Sequence, residues 1–144
     1  MNLNDIILPL HLLVLLYAVW NIFHADHLGL KWITGKINVL HKEDIRKYHV
    51  RVWIGLIGMI ITGFIMFWPM HEYLLTRWQF LLKISFVIAL VANGFAIGSI
   101  QDVATKKSFK ELTLREKIPL FISGAVSSIG WIGAAIMAFF IIPD

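Results

Sequence analysis

The stretch Val50–Met70, VRVWIGLIGMIITGFIMFWPM, holds one charged residue, Arg51, and otherwise runs apolar for the length of a membrane span. A hydrocarbon core takes about 20 consecutive apolar residues in a helix. No soluble helix needs so long a run that is apolar on every face, so this stretch decides the class: a transmembrane helix. Three further windows have the same character, Ile6–Leu30, Trp78–Ile100 and Ile118–Ile142. The expectation is an all-α protein, an integral membrane four-helix bundle forming a single four-span domain over residues 1–144. The first window lacks the basic leading region and the A-x-A site of a signal peptide and ends in His24, Asp26 and His27, so it is expected to be retained as a span.

Composition agrees with this class. Of the 144 residues 58% are hydrophobic and only 15% charged, against about 45–50% and about 25% in soluble domains. Cysteine is absent, which excludes disulfides, thiolate metal sites and thiol chemistry. The net charge of +4 does not describe a nucleic-acid binder, because the basic residues flank apolar runs instead of forming a patch. They carry topology information. Lys31, Lys36, Lys42, Arg46, Lys47 and Arg51 surround the first connection, and Lys106, Lys107, Lys110, Arg115 and Lys117 the third. That makes eleven of the thirteen; Arg77 lies in the second connection and Lys83 within the third span. Basic loops are retained on the cytoplasmic side. The expected topology therefore puts loops 31–49 and 101–117 in the cytoplasm and both termini outside, in a bacterial inner membrane. Trp32, Trp68 and Trp78 stand near the proposed boundaries, where indole rings favour the headgroup layer.

Helices in lipid associate through small residues that let backbones approach. Ser85, Ala89, Ala92, Ala96 and Ser99 form such a stripe in the third span, Ser123, Ser127, Gly130, Ala134 and Ala138 in the fourth, and Gly55, Gly58 and Thr62 in the second. These stripes are expected to face the bundle interior, or to pair copies of the chain as a homo-oligomer. Lys83 lies roughly opposite the third-span stripe at ~100° per residue, so it is expected to snorkel outward or to hold an anionic group.

Polar residues inside spans carry the functional signal, since packing gives no reason to keep them. Tyr17, Asn21 and His24 recur at four and three and share a helix face, with Trp20 and His27 beside them. The second span runs antiparallel, so His49 joins His24 and His27 at the cytoplasmic end. His24, Asp26, His27 and His49 could hold a divalent metal, and His24 with His49 could ligate a b-type haem from facing helices, since neutral imidazoles bring no extra charge. The same histidines could equally sit in the headgroup layer. A second group, His11, His71, Glu72 and Lys83, lies toward the other side. Asn93, midway along its span, has an amide that must find a partner and is expected to face the interior.

The segments LHLLVLLYAVW (10–20), VWIGLIGMIITGF (52–64), WQFLLKISFVIALVANG (78–94) and REKIP (115–119) together resemble the small four-helix membrane proteins of the HemJ-type protoporphyrinogen oxidase and copper-resistance D group. The matching positions are His11 in the first span, Lys83 in the third, and Glu116 with Pro119 before the fourth. The chain departs from that pattern at Val19–Phe23 and at Ala92 and Asn93, which implies a relative with changed chemistry. The resemblance implies a haem b between helices, with His11 or an inner histidine as axial ligand and Lys83 near an anionic group. Trp20 and Trp53 would line the pocket, and electrons would be exchanged with a quinone or a small redox partner. The alternatives are a carrier of metal or small solute with its site at His24, Asp26, His27 and His49, and a cofactor-free accessory subunit of a membrane complex. No G-x-S-x-G, H-E-x-x-H or phosphate-cradling glycine loop is present.

Overall fold

A computed structural model of the chain describes residues 2–141. Over these residues the protein is helical, in the order α1 (Leu3–Ile33), α2 (Lys42–Phe67), a 3-10 turn (Trp68–Met70), α3 (His71–Leu75), α4 (Trp78–Ile100), 3-10 turns at Gln101–Thr105 and Phe109–Glu111, and α5 (Leu114–Ile141). The helical stretches containing α1, α2, α4 and α5 are each long and apolar enough to cross a membrane. The third window coincides with α4. Helices α2 and α5 begin before their apolar windows, over the largely polar flanks 42–49 and 114–117, and α1 extends past its window at both ends. Before α1, the Asn2 N–H donates to Asp5 Oδ2 at 2.9 Å and satisfies one donor of the first turn. Helix α2 begins eight residues before Val50, with Glu43 and Asp44 in its first turn, where carboxylates favour the positive end of the helix dipole. Ile142, the expected end of the fourth span, lies outside the described residues.

Two antiparallel hairpins make up the molecule. In the first, α1 lies on α2 so closely that a Cβ added at Gly55 would come 2.7 Å from Ala18 Cβ and 3.2 Å from its Cα. One added at Gly58 would meet Val14 at 2.8 Å. In the second, α5 lies on α4 with Gly130 under Leu90 and Gly133 under Phe86, where an added Cβ would come to 2.7 Å and 2.6 Å of those side chains. The small residues of the second and fourth spans thus face their neighbours, as expected from the sequence, and Gly55, Thr62, Ser123 and Gly130 are all buried. The two hairpins meet less closely. In the helical region they are joined by Trp53 of α2, whose ring lies over Gly94 of α4 (2.8 Å from a Cβ placed there) and 5.0 Å from the Phe95 ring, and by Phe67 of α2 stacked on Phe80 of α4 at 5.3 Å.

The third-span stripe is corrected by the structure. Ser85, Ala92, Ala96 and Ser99 are exposed, and the inward face of α4 is Lys83, Phe86, Leu90, Asn93 and Ile97, at spacings of three, four, three and four. Because the stripe points outward, Lys83 lies on the packed side. The small stripe misleads because close approach here comes from glycines on α5 that admit the large Leu90 and Phe86 of α4.

The basic loops are welded into one cap. Trp32, Leu40, Ala104 and Leu112 form a buried cluster, with Phe109 edge-on to Trp32 at 5.4 Å. The Trp32 indole N–H donates to the Lys107 carbonyl (3.1 Å), and the Leu40 N–H donates to that of Ala104 (2.8 Å). Trp32 is therefore a core residue and not an interfacial ring, whereas Trp68 and Trp78 are exposed.

Candidate functional site

Buried polar groups must be hydrogen-bonded, and the way they are bonded fixes what remains for chemistry. His11 and Thr62 are both buried on the α1/α2 contact face. Thr62 Oγ1 lies 2.7 Å from the Gly58 carbonyl, to which it donates, as β-hydroxyl residues in apolar helices do. A hydroxyl has one proton. The second contact of that oxygen, 2.6 Å from His11 Nδ1, is therefore an acceptance: Nδ1–H donates to Thr62. This leaves His11 Nε2 with its lone pair free, the tautomer in which a histidine ligates a metal.

Two neighbours complete the group. Gly63 faces His11, where a Cβ would stand 3.6 Å from ring Cε1, an ordinary contact, so the glycine keeps side-chain bulk off that part of the ring. Lys83, half-buried on α4, is within electrostatic reach of His11. It makes no ion pair among the described residues. A cation so placed invites an anionic partner. His71 and Glu72, expected in the same group, are exposed at the connection beyond the helix end, and His71 Nδ1 is bonded to the Trp68 carbonyl at 2.7 Å.

The other expected group is dispersed. His24 Nδ1 is held by the Trp20 carbonyl of its own helix at 2.8 Å, and its ring lies 4.6 Å from Trp20 and 6.4 Å from Tyr48. His27 is exposed. Asp26 and His49 border a cleft between the hairpins, with the His49 ring edge-on to Trp53 at 6.5 Å. No three His, Asp or Glu residues gather around a common point among the described residues. The Tyr17, Asn21, His24 face is also split: Asn21 is buried and donates to the Tyr17 carbonyl, while Tyr17 and Trp20 are exposed.

Asn93 faces the interior as expected, but its partner is protein. Its amide donates to the Ser123 carbonyl (3.2 Å), and Ser123 Oγ donates back to Asn93 Oδ1 (2.8 Å). The pair clamps α4 to α5. Glu116 has a similarly local role: its carboxylate accepts from the Thr113 N–H at 3.3 Å and hydroxyl at 3.0 Å, and it meets Lys107 at 3.3 Å. These bonds close the first turn of α5, so the Glu116 part of the resemblance has a helix-start explanation.

Sequence reasoning gave Thr62 only a packing role and missed its bond to His11. Both are polar residues of adjacent antiparallel spans, placed at similar distances from the connection that joins them, and that signal was legible. The chain matches no family model, no curated protein and no solved structure.

Proposed function

We propose that this chain is an integral membrane redox protein that crosses the bilayer four times and binds a b-type haem through His11. The single observation that carries the reading is the relay from His11 Nδ1–H to Thr62 to the Gly58 carbonyl, which presents Nε2 as a neutral donor on a fixed ring. Hydrogen bonds from a ligating histidine's other ring nitrogen fix its tautomer and orientation in haem and metal sites. Lys83 supplies a cation for a carboxylate of the cofactor, and Gly63 keeps side-chain bulk off the His11 ring. When bound, haem supplies one-electron chemistry, and the protein contributes the ligand, its orientation and the local charge. Its redox partner in this reading is a quinone or a haem-pathway substrate.

The membrane setting is supported by the outward surfaces. Leu13, Leu16, Phe95 and Phe139, spread over α1, α4 and α5, are more than 60% exposed, as side chains facing lipid are. The eleven basic residues at one end favour a cytoplasmic cap, with both termini outside.

Purification in mild detergent, followed by an absorption spectrum and metal analysis, tests the reading. The expected result is a Soret band with stoichiometric iron. A colourless protein that takes up no added haem would refute it and leave the accessory-subunit reading, in which the outward Ala92 and Ala96 of α4 meet a partner helix.

A further inference from the structure

The cleft between the hairpins has a volume of about 520 Å³, within the range of small-molecule sites. It is separate from His11 and lies at the end of the molecule that carries the basic loops. All four long helices contribute to it, and so does the 3-10 turn after α4.

Its charge is the opposite of its surroundings. Although eleven Lys and Arg residues surround this end of the chain, none lines the cleft, and the one carboxylate or cation that does is Asp26. Asp26 has no Lys, Arg or His partner within 4.0 Å among the described residues. Asn93 and Ser123, which also line the cleft, satisfy each other, but two further polar groups are unused. Gln101 Oε1 is buried with no hydrogen-bond partner, and His49 has no ring hydrogen bond, whereas His11, His24 and His71 each do. The walls include the aromatic rings of Tyr48, Trp53 and Trp131. An unpaired carboxylate, an orphaned amide oxygen and aromatic faces select a positively charged hydrogen-bond donor on an apolar body. An anion would meet Asp26 with nothing to offset it. The cleft is thus a poor place for a haem with its carboxylates, which the lone Lys83 favours at the other site.

We propose that this cleft binds a lipophilic organic ammonium ion, with Asp26 as its counter-ion and Gln101 and His49 as acceptors for its N–H groups. The site is filled or emptied independently of His11, so its test needs no haem.

The test uses the full chain in phosphatidylcholine nanodiscs and reads quenching of tryptophan fluorescence, since Trp53 and Trp131 line the cleft. Titration with 1-naphthylmethylammonium should quench saturably, and the neutral 1-naphthylmethanol and the anionic 1-naphthylacetate should bind at least tenfold more weakly. Asp26→Asn should weaken ammonium binding at least tenfold while leaving haem content and naphthylmethanol binding unchanged. Gly124→Phe provides an independent check from the other hairpin: Gly124 lines the cleft and a Cβ there meets nothing within 4 Å, so the ring can enter the cleft and should abolish binding. His11→Ala should leave ammonium binding intact whatever it does to haem. Equal affinity for the three naphthyl probes, or unchanged ammonium affinity in Asp26→Asn or in Gly124→Phe, would overturn the proposal.

Discussion

Thr62 has one proton to give and gives it to its own helix, and this local fact decides the state of a histidine on another helix. The consequence is testable by changing the hydroxyl alone. Thr62→Val keeps the branched shape but removes the acceptor of His11 Nδ1–H, so haem affinity should fall by about 10- to 100-fold, the usual effect of losing a ligand's orienting partner. Thr62→Ser, which restores an acceptor, should recover most of it. Equal haem retention in Thr62→Val and the parent would mean that the hydroxyl orients nothing. Gly63 gives a steric test in the same place. A lone Cβ stands at an ordinary 3.6 Å from the ring; Gly63→Ala should therefore keep haem and Gly63→Leu should lose it. Asn93 illustrates how far one residue can be read from sequence: its need for a partner was legible, the identity of that partner was not. Ser123 lies thirty residues away, and no local spacing relates the two. Removing the clamp with Asn93→Leu leaves the Ser123 hydroxyl without its acceptor and should cost about 0.6 to 2 kcal/mol, the range for interhelical hydrogen bonds in membranes, read as a lower melting temperature in detergent.

Among the elements, the helices were legible because a long apolar run has one solution in lipid, with every backbone group bonded inside its own segment. Which face of each helix turns inward was less so. On α2 and α5 the glycines decide, because any side chain at Gly55 or Gly130 would strike its neighbour. On α4 two stripes compete, the small one from Ser85 to Ser99 and the one running Lys83, Phe86, Leu90, Asn93, Ile97, and an apolar background gives no amphipathic contrast between them. The small stripe is on the outside. Lys83, whose charge seemed to direct it outward, shares the inner face with Asn93. This reversal yields an ordering of substitutions. Gly55→Leu drives a side chain against the Ala18 backbone, which cannot move aside, and should destabilise by about 1–3 kcal/mol or more. Ala92→Leu adds bulk to an exposed surface and should change the melting temperature little. Comparable losses for the two variants in a detergent melt would return the interface to the small stripe of α4.

At the scale of the whole molecule, the two hairpins are each tightly built, their loops join at the basic cap, and the helical regions between them stay apart enough to leave a cleft. Of this plan the sequence carried the number of helices and the charge asymmetry, whereas the cap core around Trp32 and Leu112 depends on contacts between distant loops that no periodicity reveals. The asymmetry predicts sidedness. A reporter fused after Asp144, itself outside the described residues, should be active only outside the cytoplasm, and labelling of a cysteine placed at Lys36 or Lys110 should require reagent on the cytoplasmic side. The reverse pattern would invert the proposed topology. The haem reading divides the molecule as well, since it puts the ligand at His11 and gives no ligand role to the histidines of the basic end. The most direct measurement of that claim is the Soret absorbance per protein of three variants purified side by side, His11→Ala, His24→Ala and His49→Ala. Loss of the band in His11→Ala, with full retention in the other two, is the predicted result; retention in His11→Ala, or loss in either of the others, would contradict it.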